Sequence, residues 1–155
     1  MKRVFVFNLT LLVALVVAVS GCGGESKQFT NAPLGKAGKV KVQSSEGFNK
    51  DQQQVLDKVV EYADVTASRN YEKLCKEVLS DSASQLEGGC VAMFRKSGLK
   101  FKDFSVTVKS IKVADNKSSA TVAIVSRTDV NKTGTAMNLS LQKSSGQWRI
   151  NILGK

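Results

Sequence analysis

Apolar residues recur along this chain with two different periods, and the switch between them divides its foldable part into a helical half and a strand half. Val55, Leu56, Val59, Val60, Tyr62, Ala63 and Thr66 fall on one stripe at helical spacing, with Asp57, Lys58, Glu61 and Asp64 on the other side. Asn49 followed three residues later by Gln52 is a capping-box pattern, so a helix is expected to begin there. Asn70 is placed to cap a second, short helix that turns Tyr71, Leu74, Cys75 and Val78 inward. A third segment runs from about Ser82 to Ser97, broken at Gly88-Gly89 and stopped by Gly98.

Beyond Gly98 the period drops to two. Phe104, Val106 and Val108 share one parity and Ile111 and Val113 the other, which places a bulge near Lys109-Ser110 and bends the first strand. Asp115-Asn116-Lys117 turns the chain into Ala120, Val122 and Ile124. Asn131 to Gly134 then turns it into Met137, Leu139 and Leu141, and Ser144-Ser145-Gly146 into Trp148, Ile150 and Ile152. The expected class is α+β, with N-terminal helices packed on a curved antiparallel sheet of about four strands. This element order, with "NYEKLC", "LEGGCVAMF" and the closing "GQWRINIL", resembles the nuclear transport factor 2-like cone fold over residues 49–155. A cystatin-like arrangement, one helix on a sheet, is the alternative.

Ahead of this domain, Lys2 and Arg3 precede an apolar run from Val4 to Val19 broken only by Asn8 and Thr10, the layout of a signal peptide. The run is shorter than the ~20 apolar residues that a permanent span needs. Val19-Ser20-Gly21-Cys22 resembles the lipobox of bacterial lipoproteins. That resemblance implies cleavage before Cys22 and acylation of the cysteine, for instance with palmitate, which would hold the protein on the outer face of the cell membrane. One acyl chain binds a bilayer only marginally, and two or more hold it stably. Residues 1–21 are thus read as signal peptide, 22–48 as a tether rich in Gly, Ser, Lys and Gln with the single Pro33, and 49–155 as one domain. With Cys22 assigned to lipid, Cys75 and Cys90 remain, and in an exported protein their natural state is a disulfide.

Charge changes the picture for the strand half. The formal net charge is +10, of which Lys2 and Arg3 of the leader contribute two. Residues 49–100 balance eight bases with eight acids, whereas 101–155 carry nine bases and three acids. Alternation sets Ser105, Thr107 and Lys109 opposite the apolar parity of the first strand, and Arg149 and Asn151 opposite Trp148 and Ile150, so one sheet face is expected to be polar and basic. The candidate anion-binding residues are Arg95, Lys96, Lys100 and Lys102, where the third helical segment hands over to the sheet, with Lys109, Lys112 and Arg149 on the strands. Anionic lipid or wall polymer suits an exported chain. Nucleic acid is not expected, since no aromatic residues are interleaved with these lysines to stack on bases. The plain alternative is that the lysines solvate the sheet.

Catalytic chemistry finds little support. Cone-fold isomerases and dehydratases place a carboxylate or His inside the cone, beside a Tyr or protonated Asp. This chain has no His, and its only acids after Phe101 are Asp103, Asp115 and Asp129, all near strand ends or turns. No catalytic residue, metal ligand set or cofactor is assigned. Tyr62 and Trp148 are the candidate pocket residues, with core tyrosine and core tryptophan as the simpler reading. The leading functional expectation is a non-catalytic, membrane-anchored module for a small apolar ligand or an envelope partner. The alternatives are an electrostatic adaptor for anionic polymers or lipids, and a cone-fold isomerase or dehydratase.

Overall fold

The computed structural model describes residues 37–43, 47–86, 88–97 and 103–151. Cys22, Lys100, Lys102, Ile152 and the whole of the leader lie outside them. The first described element is a strand, β1 (Lys39–Val42). Helix α1 (Lys50–Ala67) opens with the expected capping box, in which Asn49 Oδ1 accepts from Gln52 N–H at 3.0 Å and Gln52 Oε1 accepts from Asn49 N–H at 3.0 Å. Asn70 caps α2 (Tyr71–Lys73), which widens directly into a π turn (Leu74–Val78) closed by Leu79 N–H donating to Leu74 C=O. The third segment splits at its glycines into a 3-10 turn (Asp81–Gln85) and α3 (Cys90–Lys96).

Strands β2 (Phe104–Val113), β3 (Ser119–Thr128), β4 (Thr135–Ser144) and β5 (Gln147–Asn151) then form an antiparallel meander. The register of β2 against β3 slips between Val108 and Ser110, the bulge position that the parity switch predicts. Ser145 and Gly146 both take positive φ between the paired Ser144 and Gln147, a two-residue turn matched to the strand twist.

Among the described residues the molecule is α+β, helices on a five-stranded open sheet in the order β1-β2-β3-β4-β5. Two expectations are corrected. The sheet has five strands instead of about four, and it is not wholly antiparallel, because β1 runs parallel to β2 with Val40 opposite Val106. The domain therefore begins before residue 49, inside the stretch read as tether. Lys-Val-Lys-Val does alternate with period two, but its composition matches the polar stretch around it, and a parallel edge strand needs a partner far away in sequence.

One face of the sheet carries the core. Val40, Val106, Val108, Val122, Ile124, Leu141 and Ile150 are at most 2% exposed. They meet Val55, Leu56, Val59 and Ala63 of α1 and Leu74 and Val78 of the π turn, all at most 1% exposed. At about 1.5–3 kcal/mol for each large aliphatic side chain buried, this interface is the main source of stability. Near the β3–β4 turn Met137 shares the inward parity of Leu139 yet is 45% exposed, because no described helix covers that end of β4.

Candidate anion-binding face

The opposite face of the sheet is built by alternation. Because paired residues point to the same side, Lys39 and Lys41 of β1 join Ser105 and Thr107 of β2. Beyond the bulge, Ser110 and Lys112 continue that face beside Ala123 and Thr121 of β3, and Arg127 joins it opposite Ser105. Asn138 and Ser140 extend it on β4, and Arg149 and Asn151 on β5. No carboxylate occurs in any of the five strands. Asp103 precedes β2, Asp115 lies in the β2–β3 turn and Asp129 follows β3.

How each cation is held decides how much charge it presents. The side chains of Lys39, Lys41 and Lys112 are exposed and make no hydrogen bond or ion pair among the described residues. Lys109, the extra residue of the bulge, donates to Gln43 Oε1 at the end of β1. Arg127 donates to Thr107 Oγ1 at 3.0 Å, which keeps its guanidinium over the sheet. These partners are neutral, so they fix position and leave the charge unbalanced.

Arg149 is different. Its Nη1 donates to Lys76 C=O at 2.6 Å and Leu79 C=O at 3.2 Å, wrapping the sheet edge to satisfy carbonyls at the end of the π turn. A cation suits the negative end of a helix. Arg149 is therefore also a structural cap, and because its partners are neutral carbonyls its charge at the sheet edge stays unbalanced. Arg149→Met is expected to lower stability by about 1–3 kcal/mol by stranding these acceptors, checked by urea denaturation; an unchanged midpoint would remove the cap assignment.

Arg95 and Lys96 do not join this face. They belong to α3, where Arg95 pairs with Glu72 of α2 at 3.1 Å. There, with Lys76, Asp81 and the Cys75–Cys90 disulfide, they border an open cleft of about 1050 Å³. Carboxylates concentrate on this helical side, and so do the ion pairs. Glu61 takes Lys58 at 2.6 Å and Lys73 at 3.0 Å, and Asp51 takes Lys117 at 3.1 Å. Burial alone would raise the Glu61 carboxyl, but hydrogen bonds and charge from Lys58 and Lys73 outweigh it and hold the group below its ordinary 4.5. A carboxylate depressed in the folded state adds stability above its unfolded pKa and loses it as pH falls through the folded value. The stability gap between the native chain and Glu61→Gln is therefore expected to stay level above the ordinary carboxylate range and to close in acid. Paired denaturation curves across pH test this; a gap that persists in strong acid contradicts it.

The candidate pocket residues are not brought together. Tyr62 packs edge-on against Phe104 with ring centroids 6.2 Å apart, and burial pushes its phenol above the ordinary 10.0, partly offset by Thr66, so it stays neutral near pH 7. Trp148 is 3% exposed, with Lys143 Nζ 5.4 Å from its ring centroid. It borders a smaller cleft of about 590 Å³ with Gln54, Glu61, Glu77 and Gly146, and Tyr62 is not among the residues lining that cleft. Among the described residues no three His, Cys, Asp or Glu side chains gather as a metal site, and no helix is long and apolar enough to cross a membrane.

The fold and this face define an α+β domain with one cationic sheet surface. No family model matches the chain, and no curated protein matches it. Among solved structures, the intermembrane space region of the chloroplast protein ARC6 superposes with a TM-score of 0.41 at 15% identity, over 67% of this chain and 95% of that one. At that level the likeness assigns neither family nor activity.

Proposed function

We propose that the chain is a lipid-anchored, extracytoplasmic binding module of cone-fold type, non-catalytic, whose exposed sheet face takes an anionic partner in the cell envelope. The observation that carries the reading is the set Lys39, Lys41, Lys109, Lys112 and Arg127 on one face of a sheet whose strands contain no carboxylate. A small apolar ligand is less well supported, since the helix-facing side of the sheet is filled by side chains from α1 and the π turn. The anchor rests on the lipobox resemblance at Cys22, and mass spectrometry of the mature N-terminus tests it, an unacylated Cys22 removing it.

Polyanion binding would be driven by charge and counterion release, so affinity for anionic wall polymer or anionic vesicles is expected to fall steeply with salt. Lys41→Gln combined with Lys112→Gln is expected to weaken it roughly 30-fold, at about 1 kcal/mol for each surface lysine. Both side chains are exposed and unpaired among the described residues, so the fold should not suffer. Affinity indifferent to salt and to this double substitution, measured by flotation or titration, would overturn the reading.

A further inference from the structure

We infer that the partner of the cationic face is the anionic headgroup surface of the membrane that carries the lipid anchor, so that the domain lies on its own bilayer with the sheet down and the helices outward. The inference rests on the anchored, anion-binding reading above and adds the identity of the surface. Three observations support it.

The first concerns where the chain enters the fold. β1 is both the first described element and the edge strand of the cationic face, so Lys39 and Lys41 are the first outward strand side chains among the described residues. The entry point is fixed: Asp64 Oδ1 accepts from both Ala37 N–H and Gly38 N–H at 2.8 Å, tying the start of β1 to the end of α1. Only residues 23–36 separate Ala37 from Cys22, so by the reach limit of any chain of that length Ala37 lies no more than about 50 Å from the anchored cysteine. That limit confines the face to the neighbourhood of the bilayer.

The second observation is the asymmetry of charge. Residues 49–100, which build the helical layer, balance eight bases with eight acids, and Glu61 and Glu72 are ion-paired, so an anionic plane attracts the sheet face and finds no net charge on the helical side. The third is that Lys39, Lys41, Lys109 and Lys112 are exposed and none is held in an ion pair among the described residues. Weak individual attractions of this kind become effective when an acyl anchor has already supplied the encounter, as for an acyl chain joined to a polybasic patch.

The test is a lysine footprint on the purified native protein held by its own anchor in vesicles. A water-soluble amine-reactive reagent is applied to protein in phosphatidylcholine vesicles and in vesicles containing phosphatidylglycerol, and modification is read residue by residue by mass spectrometry. Lys39, Lys41, Lys109 and Lys112 are expected to react about fivefold more slowly on the anionic vesicles, the factor corresponding to ~1 kcal/mol for each lysine at the surface. High salt should restore their rates, while Lys50 of α1 and Lys96 of α3 react alike on both. Equal rates for the four lysines on both vesicles, or equal slowing of all six, overturns the inference. If soluble poly(glycerol phosphate) protects the four lysines where phosphatidylglycerol does not, the partner is a wall polymer; the membrane assignment falls and the anion-binding reading stands. If neither protects them, both fall. Protein that fails to float with neutral vesicles has no anchor, and that too overturns the inference.

Discussion

Replacing Cys75 and Cys90 together by alanine is expected to lower the free energy of unfolding by about 3 kcal/mol, the chain-entropy value for closing a loop of this size. The two are joined at a sequence separation of 15, with Cα atoms 6.0 Å apart. The loss should be concentrated in α3, because Cys90 is the only residue that this helix buries. Its other ties are weak. Tyr71 stacks on Phe94 with ring centroids 5.8 Å apart, and the Arg95–Glu72 pair is exposed, of a kind that contributes at most about 1 kcal/mol. The π turn at the other end of the staple is held independently, by Leu74 and Val78 in the core and by Ser80 N–H donating to Ile150 C=O at 2.8 Å. Hydrogen exchange should therefore show α3 opening while α1 and the sheet keep their protection, and denaturation with and without reductant should give the same loss for the native chain. An unchanged unfolding midpoint and unchanged exchange in Cys90–Lys96 would show that α3 does not depend on the bond.

Gly38→Ala is expected to cost about 1–3 kcal/mol as an overpacked core site, with the damage falling on β1. A Cβ at position 38 would lie 2.3 Å from both the carbonyl carbon and oxygen of Ala63 and 2.8 Å from its Cβ. Two of those atoms are helix backbone, so no side-chain rotation relieves the overlap. Gly38 N–H is also bonded to Asp64, one residue along α1, so the strand cannot shift outward and keep that bond. If β1 detaches, Val40 leaves a fully buried site opposite Val106, at a further cost of about 1.5–3 kcal/mol. Lys39 and Lys41 would then no longer be fixed on the sheet, so binding to anionic surfaces should weaken together with stability. Limited proteolysis at residues 39–42 and exchange of the Gln43 amide, which donates to Val108 C=O at 2.9 Å, report on the strand directly. Native-like protection there would mean that α1 yields instead.

Local chemistry made much of this fold legible. Asn49 and Gln52 satisfy each other's backbone amides at the start of α1, and the parity switch after Val108 marks the bulge without reference to any partner. Arg149 was harder to read, because its partners, Lys76 C=O and Leu79 C=O, are backbone groups more than 60 positions away and carry no side-chain signal. The pairing of Arg95 with Glu72 likewise depends on how α3 lies against α2.

Local pattern and composition set the α+β class, the helix cap, the turns, the alternation that makes one sheet face polar and basic, and the absence of carboxylates from the strands. These follow from the 3.6- and 2-residue periods and from composition, which need no knowledge of the partner. Long-range packing is what makes Lys39–Val42 an edge strand, places its lysines on a face with Lys109, Lys112 and Arg127, and sets Arg149 to cap a turn at the sheet edge. A parallel pairing across more than 60 residues, and a hydrogen bond to a distant carbonyl, are set by where the core places the backbone, and that placement has no local period to betray it.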